Sequence, residues 1–472
     1  MDQLYEEVEE PVSPHGQYLN NTVICSYIFG FLELTIPFDD SLVIPLIKDV
    51  FIPINSRFSS IMIRDEDGKM RWKKVVVKPE EHVKIPKFSE NSPSRGLYDN
   101  HLREYVTSIL IERTSQEKPL WEIHIINYPT TNAVSTIIFK LHHSLGDGYS
   151  IMGALLSCLQ RVDDPSLPLS FPSRPQLNLK YEDESLFKKI CFGVNSFFSS
   201  ISDFGSSIIK TRIIADDITP IRSGYRGIDS QHIILSDILF SLDQVKEIKS
   251  KLGVTINDVV CGIIFYGLRL YMDEINERTK TSNSTALVML NTRNIKGYQS
   301  LKEMQKPESK GLWGNKISFL QIPIPKPNQS GIFNPLEFVL EAHDVLNKKK
   351  RSFSVHLIGL LMDLEMKLRG PEAVAKEIYN TIGNSSVLIS NMVGPVEKMA
   401  LANHPVNGLY FTTTCGPEDV NITIISYVKI LRMSVKILKG FIDEDKLKFC
   451  MEKAFEAIFK ASMEIFDIPI EK

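Results

Sequence analysis

The sequence has no surplus of either charge: 54 basic residues are balanced by 57 acidic ones, a formal net charge of -3 at pH 7. Generic nucleic-acid-binding proteins carry a pronounced basic bias, so we expect no nucleic-acid partner. Disorder, collagen and coiled-coil structure are also excluded, because 43% of the residues are hydrophobic and 24% are charged, an ordinary globular composition. A length of 472 residues predicts roughly three domains, or two large ones.

The cysteines are few and scattered, and no two of them form a C-x-x-C pair. Neither a zinc site nor a disulfide framework is therefore indicated. We expect no bound metal, and thiols that stay buried in a reducing compartment. The six residues are Cys25, Cys158, Cys191, Cys261, Cys415 and Cys450.

Targeting and membrane-spanning signals are weak. The first ten residues carry five acidic side chains and no basic one, which is the wrong charge for a signal peptide. The apolar run at 23–32 has about half the length of a membrane span, and we predict that it is a buried strand. Since no stretch reaches ~18 apolar residues, no transmembrane helix is expected.

Predicted strands and helices alternate along the chain, which indicates an α/β or α+β fold. Residues 134–141 are rich in β-branched and aromatic side chains and predict a buried strand. The loop 142–148 follows, and then residues 149–162 carry apolar side chains at helical spacing. Further helices are predicted at 255–270, 371–381 and 445–466. Further strands are predicted at 318–324 and 387–390, and two more within 421–438.

An amphipathic segment occupies residues 187–212. Apolar side chains recur every three or four positions over 187–208, and the opposite face is mostly Ser, Asn and Gly. This profile is typical of a helix lying in a membrane interface, with basic ends near lipid phosphates. Asn195 and Asp203 would be costly in hydrocarbon, which favours an interfacial over a spanning helix. The alternative, a helix packed on the protein's own core, stays open. The bracketing bases are Lys188, Lys189, Lys210 and Arg212.

The string HHSLGDG at 142–148 contains the main candidates for chemistry. It lies in a loop after a buried strand, where catalytic groups are often placed. An imidazole with a near-neutral pKa can take a proton from an alcohol at physiological pH. Asp147 begins the next helix, where its carboxylate can cap exposed amides or pair with a distant base. Ser144 is a weaker candidate, as a nucleophile, and the alternative to catalysis is two satisfied histidines in a turn.

This string resembles the HHxxxDG signature of the CoA-dependent acyltransferase superfamily, which condensation domains and plant BAHD acyltransferases share. Further strings resemble the bifunctional wax ester synthase/diacylglycerol acyltransferase family, and the overall pattern is most similar to its plant branch. The DFGWG-like motif of BAHD enzymes is not found, and Ser56 stands where a proline is expected. The matching strings are RFSS at 57–60, PLWE at 119–122, TIND at 255–258, NTR at 291–293, GN at 314–315, SNMVGP at 390–395 and HPV at 404–406.

The resemblance implies two similar-sized domains, each a mixed sheet flanked by helices, with a channel between them and the catalytic histidine in mid-channel. We assign residues 1–162 to the N-terminal acyltransferase domain and 213–472 to the C-terminal one. Residues 163–186 form a Pro-rich linker, and the amphipathic segment 187–212 follows it. Acyl-CoA would enter one mouth of the channel and the hydroxyl acceptor the other.

The resemblance also implies a role for each site residue. His143 is the general base, His142 is structural, and Asp147 supports the loop by pairing with Arg293. No metal or cofactor is required, since acyl-CoA is a co-substrate. A tetrahedral oxyanion needs a hydrogen-bond donor, for which Asn391 or a backbone amide near Gly394 are candidates. The string at 119–121 is expected to be structural and to shape the channel wall. The string at 257–258 and the residues His404 and Cys415 are expected to be structural.

The implied activity is transfer of an acyl group to a long-chain fatty alcohol, which makes a wax ester, or to diacylglycerol, which makes triacylglycerol. Two alternatives remain: an acyltransferase with a soluble alcohol or amine acceptor, and a non-catalytic lipid- or CoA-binding protein. We expect the protein to contact a membrane surface, at the endoplasmic reticulum with its active site facing the cytosol. The plasma membrane is a further candidate location.

Overall fold

The computed structural model describes residues 10–88, 94–170, 214–226, 233–279, 281–293, 313–327, 334–351 and 354–465. The amphipathic segment 187–212 and most of the predicted linker lie outside the described residues, so their predictions stay untested.

The strands are β1 (Glu10–Pro11), β2 (Tyr27–Leu34), β3 (Ser60–Arg64), β4 (Met70–Lys74), β5 (Val83–Lys84), β6 (Trp121–Ile126), β7 (Ser135–His142), β8 (Leu159–Arg161), β9 (Ile233–Ser241), β10 (Thr285–Asn291), β11 (Ile317–Pro323), β12 (Val387–Met392), β13 (Met399–Leu401), β14 (His404–Thr414), β15 (Val420–Tyr427) and β16 (Ile430–Leu438).

Helices alternate with these strands, so the fold is α/β with mixed sheets, as predicted. The α-helices are α1 (Pro14–Tyr18), α2 (Val43–Leu46), α3 (Arg95–Ile111), α4 (Gly148–Ser157), α5 (Leu242–Leu252), α6 (Ile256–Ile275), α7 (Pro335–Arg351), α8 (Ser354–Arg369), α9 (Pro371–Gly383) and α10 (Glu444–Met463).

The first large sheet has seven strands in the order β5-β6-β7-β2-β14-β13-β8. Its centre is the antiparallel pair of β2 and β7, in which Tyr27 lies opposite His142. All eight residues of each strand are buried. Such burial on both faces explains why both segments are nearly continuous apolar runs instead of alternating polar and apolar residues.

The second large sheet has six strands in the order β11-β10-β12-β15-β16-β9. Helices α6, α7 and α10 pack against one another over this sheet and form its hydrophobic core. Helix α6 begins with a capping box, in which the Thr255 side chain accepts from the Asp258 amide and Asp258 accepts from the Thr255 amide. The predicted structural role of the string at 257–258 agrees with this geometry.

The two sheets do not divide at one point of the chain. We assigned 213–472 wholly to the C-terminal domain, but β13 and β14 from that range lie in the first sheet, where β14 pairs with β2. Across the same junction, the buried Arg432 on β16 forms an ion pair with Glu33 on β2, and within the second sheet it forms another with Asp237 on β9. Long-range strand pairing of this kind leaves no local pattern in the sequence, so a boundary drawn from composition could not include it.

No single helix in the described part of the chain has the length and apolar character needed to cross a membrane. Helices α5 and α6 meet that test only when they are taken together, and they are bent by 101°.

Candidate active site

The two motif histidines lie at the end of β7, and their side chains have different surroundings. His142 is the last residue of the strand and His143 follows it. Successive side chains of an extended chain point to opposite sides, so the two imidazoles diverge. His143 lines a cavity of about 490 Å³, whereas His142 is not among the residues that line it. Both side chains are almost completely buried.

Asn315 holds the His143 ring in one tautomer. The Asn315 side-chain amide donates to the His143 carbonyl oxygen at 2.8 Å, which leaves Asn315 Oδ1 to accept from His143 Nδ1 at 2.8 Å. With the proton on Nδ1, Nε2 carries the free lone pair. Burial lowers the pKa of His143 below its usual value, and Asp147 and the Asn315 hydrogen bond oppose that shift. His143 is therefore a neutral base at physiological pH.

His142 is held in a separate network. Its Nδ1 accepts from the Ser144 backbone amide at 3.0 Å and lies 2.7 Å from Ser144 Oγ. Its Nε2 lies 3.5 Å from Cys25 Sγ, and its ring meets the Tyr27 ring edge-on. Burial lowers the pKa of His142 to about 3, with further contributions from His143 and Arg113. This geometry fits a structural role for His142.

Ser144 is completely buried and is not among the cavity-lining residues. Its hydroxyl hydrogen-bonds to the ring of His142, two residues before it, and His142 does not line the cavity either. The geometry therefore gives no support to the weaker interpretation of Ser144 as a nucleophile.

Asp147 forms the predicted ion pair with Arg293. Asp147 Oδ1 caps α4 by accepting from the Ser150 amide at 3.1 Å. Asp147 Oδ2 accepts from Arg293 Nη1 at 2.5 Å and from the Lys316 amide at 2.8 Å. Both side chains are at most 2% exposed, and the 146 residues between them make this a long-range contact. Both carboxylate oxygens of Asp147 therefore bind groups that fix the loop. Among the described residues, Asp147 makes no hydrogen bond to the His143 ring.

Several further bonds tie the motif loop to the segment that carries Asn315. Arg293 Nη2 donates to the Gly314 carbonyl at 2.6 Å, and the Trp313 indole donates to the Leu145 carbonyl at 2.8 Å. Arg57, from the RFSS string, donates to the same Leu145 carbonyl at 3.3 Å. Side chains of Arg293, Trp313 and Arg57 thus hold the motif loop and the neighbouring segment together, and the His143–Asn315 pair lies between these two segments.

The Trp121 side chain of the PLW string is fully buried. Its indole donates to the Phe58 carbonyl at 2.9 Å, and its ring stacks on His82 with centroids 4.1 Å apart. It does not line the cavity in front of His143. The structural role agrees with the prediction, but Trp121 packs in the hydrophobic core of the first sheet and not in the wall of this cavity.

The two oxyanion candidates are engaged elsewhere. The Asn391 side-chain amide donates to Asn257 Oδ1 at 3.1 Å, and the Gly394 amide donates to Ser426 Oγ at 3.3 Å. A Cβ at Gly394 would collide with the Ser426 carbonyl, so close strand contact explains this glycine. Neither residue lines the cavity that His143 lines. The geometry therefore does not support the predicted oxyanion role at this cavity.

The cavity lies between α1, β11, α8 and α9, and its lining is mainly apolar. Sequence reasoning missed His15 and assigned Cys415 a purely structural role, yet both line this cavity. Burial lowers the pKa of His15, with smaller effects of Asp363, Asp147, His143 and Arg293, and raises the pKa of Cys415 to about 11. No motif singled out His15, because only folding brings α1 to this wall. Apolar lining residues include Leu19, Met289, Phe319, Leu361, Met362, Met366, Ile378 and Ile382.

A search of the described residues finds no group of three or more His, Cys, Asp or Glu side chains able to hold a metal ion. The cavity that His143 lines is mainly apolar, and its lining also includes Asn315, His15 and the charged residues Lys316, Asp363, Glu365 and Glu377. A mainly apolar lining suits an organic substrate that is bound by burial, and the neutral imidazole of His143 is a group that can accept a proton.

Two family models match the chain. The wax ester synthase/diacylglycerol acyltransferase catalytic domain matches residues 69–260, and the WS/DGAT C-terminal domain matches residues 313–459. Among curated relatives from Arabidopsis thaliana, wax ester synthase/diacylglycerol acyltransferase 4 is 28% identical, with 92% of this chain and 86% of the relative covered. Wax ester synthase/diacylglycerol acyltransferase 2 is also 28% identical, with 91% of each chain covered.

Solved structures share the fold. The wax ester synthase/diacylglycerol acyltransferase from Marinobacter aquaeolei VT8 superposes with a TM-score of 0.60 at 15% identity, over 96% of this chain and all of that one. The starter condensation domain of rhizomide synthetase superposes with a TM-score of 0.55 at 8% identity, over 97% and 95% of the two chains. Sequence motifs, family models and fold agree, and the chain belongs to the wax ester synthase/diacylglycerol acyltransferase family.

Proposed function

We propose that the protein transfers a long-chain acyl group from acyl-CoA to the hydroxyl of a long-chain alcohol, of diacylglycerol, or of both. The observation that carries this proposal is His143: a neutral imidazole, its Nδ1 committed to Asn315, facing a mainly apolar cavity. The relatives that match over most of the chain are named for the same two activities. The condensation domain with a similar fold was solved with C8-CoA bound.

The reaction requires the transfer of one proton, from the acceptor hydroxyl to His143 and then to the CoA sulfur. His143 Nε2 takes the hydroxyl proton as the acceptor oxygen attacks the thioester carbonyl carbon, and a C–O bond forms. The tetrahedral intermediate collapses with cleavage of the C–S bond, and the proton passes from His143 to the departing CoA sulfur. No covalent acyl-enzyme is needed, because the thioester is already activated and alignment of two substrates supplies much of the rate.

The cavity favours a lipid acceptor over a small polar one. Its volume of about 490 Å³ and its Leu, Ile, Met and Phe lining suit an alkyl chain, which gains free energy by leaving water. Asn315 and His143 are among the polar groups of this cavity, which also include Lys316, Asp363 and Glu365. This is the common design of a lipid site, in which apolar surface binds the chain and a small number of polar atoms orient it.

The assay that tests the proposal compares four acceptors, namely hexadecanol, diacylglycerol, a small soluble alcohol and a small amine, with purified protein and palmitoyl-CoA. We expect ester formation with hexadecanol, with diacylglycerol or with both, at a kcat/KM well above that for a small soluble alcohol. A preference for the soluble alcohol, or for an amine, would support the alternative acyltransferase. Binding of palmitoyl-CoA without ester or amide formation in any reaction would contradict the proposal and favour the non-catalytic alternative.

We propose also that the enzyme works at the endoplasmic reticulum membrane with its active site facing the cytosol, and that the plasma membrane is a further location. Long-chain alcohols and diacylglycerol reside in bilayers, so the enzyme must take its acceptor from one. The composition of segment 187–212 supports an interfacial contact. Colocalisation of a tagged protein with an endoplasmic reticulum marker tests the location, and a signal confined to another compartment's lumen would contradict it.

A further inference from the structure

Helix α8 (Ser354–Arg369) presents a stripe of leucines to the outside. Leu360, Leu364 and Leu368 are 66%, 51% and 75% exposed. They are spaced by four residues, so they lie on one side of the helix, one turn apart. A contiguous exposed apolar stripe differs from single exposed hydrophobic residues, which need no explanation, and marks a surface that meets an apolar partner.

The same helix also lines the cavity in front of His143, with residues 358–363, 365 and 366. Leu360 belongs both to this lining and to the exposed stripe, whereas Leu364 and Leu368 do not line the cavity. The lining from α8 is mainly apolar but includes Asp363 and Glu365, and Glu365 pairs with Arg369 at 2.6 Å. Helix α8 therefore connects the proposed acceptor site with the outside.

Basic residues lie close to the stripe in the chain. Lys367, next to Leu368, is exposed, and so is the acidic Asp363, next to Leu364. Lys348 and Lys350, at the end of α7, are also exposed and precede the first residue of α8 by a few positions. An apolar stripe accompanied by lysines matches the two components of an anionic lipid surface, acyl chains and phosphate groups.

We propose that α8 docks on a lipid surface through Leu364 and Leu368, with Leu360 at the cavity end of the stripe. The proposal rests on the lipid acceptor of the proposed function, because it explains how that acceptor reaches the cavity without crossing water. The occupant is a membrane with anionic headgroups. A second copy of this chain and the segment 187–212 are the competing occupants, and the experiment separates them.

The test uses the full chain with Leu364→Gln and Leu368→Gln combined. Glutamine keeps the length and helix propensity of leucine and removes its apolar character. The matched control combines Leu340→Gln on α7 with Phe449→Gln on α10, two exposed helical positions at 42% and 55%. Flotation with phosphatidylcholine vesicles, with and without phosphatidylserine, measures docking. Initial rates with vesicle-held hexadecanol and with a soluble alcohol measure catalysis, and the thermal midpoint checks folding.

We expect the α8 variant to lose flotation on phosphatidylserine vesicles and to turn over vesicle-held hexadecanol about tenfold more slowly, in proportion to the lost apolar contact. The soluble-alcohol rate and the control variant should stay near wild type. Unchanged flotation would overturn the proposal. So would a change from dimer to monomer in size-exclusion chromatography of the α8 variant without loss of flotation, which would indicate a second copy. A third variant, with Phe197, Phe198 and Phe204 replaced by serine, tests the segment 187–212: loss of flotation in this variant but not in the α8 variant would assign docking to that segment instead.

This design separates the failure of docking from the failure of the proposed function. If the wild-type protein floats through Leu364 and Leu368 but acylates no acceptor, the function is wrong and the docking surface stands. If it acylates soluble and vesicle-held alcohols equally well in wild-type and variant forms, the function stands and the docking surface is wrong.

Discussion

Replacing His143 with alanine is expected to reduce kcat/KM for ester formation by about 10²–10⁴-fold, the usual contribution of a general base. The variant should fold, because only the Asn315 hydrogen bond to the ring is lost. Activity is measured with palmitoyl-CoA and hexadecanol, and folding by circular dichroism and the thermal midpoint. Turnover near the wild-type value would show that another group accepts the proton.

His142→Ala is the matched control, since it removes a neighbouring imidazole of equal size. Its loss breaks the contacts to Ser144 and Cys25 in the buried network, so we expect a lower thermal midpoint and a smaller kinetic effect than for His143→Ala. A kinetic loss in His142→Ala equal to that in His143→Ala, at unchanged stability, would contradict the division of roles.

The pH profile gives an independent view of the same base. Burial lowers the pKa of His143, so the neutral, active form should persist below pH 6.5 and kcat/KM should fall only at more acidic pH. Asn315→Asp places a carboxylate against Nδ1–H and favours the imidazolium, so its acidic limb should move to higher pH. A limb that stays in place would show that the titrating group is not His143.

Replacing Arg293 with methionine should destabilise the protein by about 3–5 kcal/mol, because it leaves the buried Asp147 carboxylate without its charge partner. The loop that carries His143 is bonded to Arg293 and to Gly314 through this pair, so ester formation should also fall. Urea unfolding at pH 7 measures the free energy of unfolding. Removal of both partners, in Asp147→Ala with Arg293→Met, should cost less than the sum of the single changes.

An exposed ion pair provides the control. Arg103 and Glu444 lie 2.8 Å apart with side chains 50% and 20% exposed, so Arg103→Met should cost no more than about 1 kcal/mol. If Arg293→Met and Arg103→Met changed the free energy of unfolding equally, the burial of Asp147 and Arg293 would not contribute as argued. Loss of activity at unchanged stability would instead indicate that Arg293 acts on a substrate.

Local patterns in the sequence determined the elements around the site. The apolar run at 134–141 predicted β7, and helical spacing predicted α6, α9 and α10 within a few residues of their ends. The helix predicted at 149–162 ends at Ser157, because the chain continues as β8 and pairs with β13. The motif string itself identified the two histidines and the aspartate, and its resemblance to a known family implied the Asp147–Arg293 pair. These inferences succeed because periodicity and motif spacing are properties of neighbouring residues.

Only the tertiary structure decided which groups meet at His143. Asn315 lies 172 residues from His143, and its amide, not Asp147, sets the tautomer of the His143 ring. Asn391 and Gly394 bond to other strands and helices, while His15 comes to the cavity from α1. The pairing of β14 with β2 and the outward stripe of α8 are likewise results of packing. The physical reason is common to all of them: each is set by contacts between distant segments, whose energies depend on the assembled sheets and leave no periodic signal in the chain.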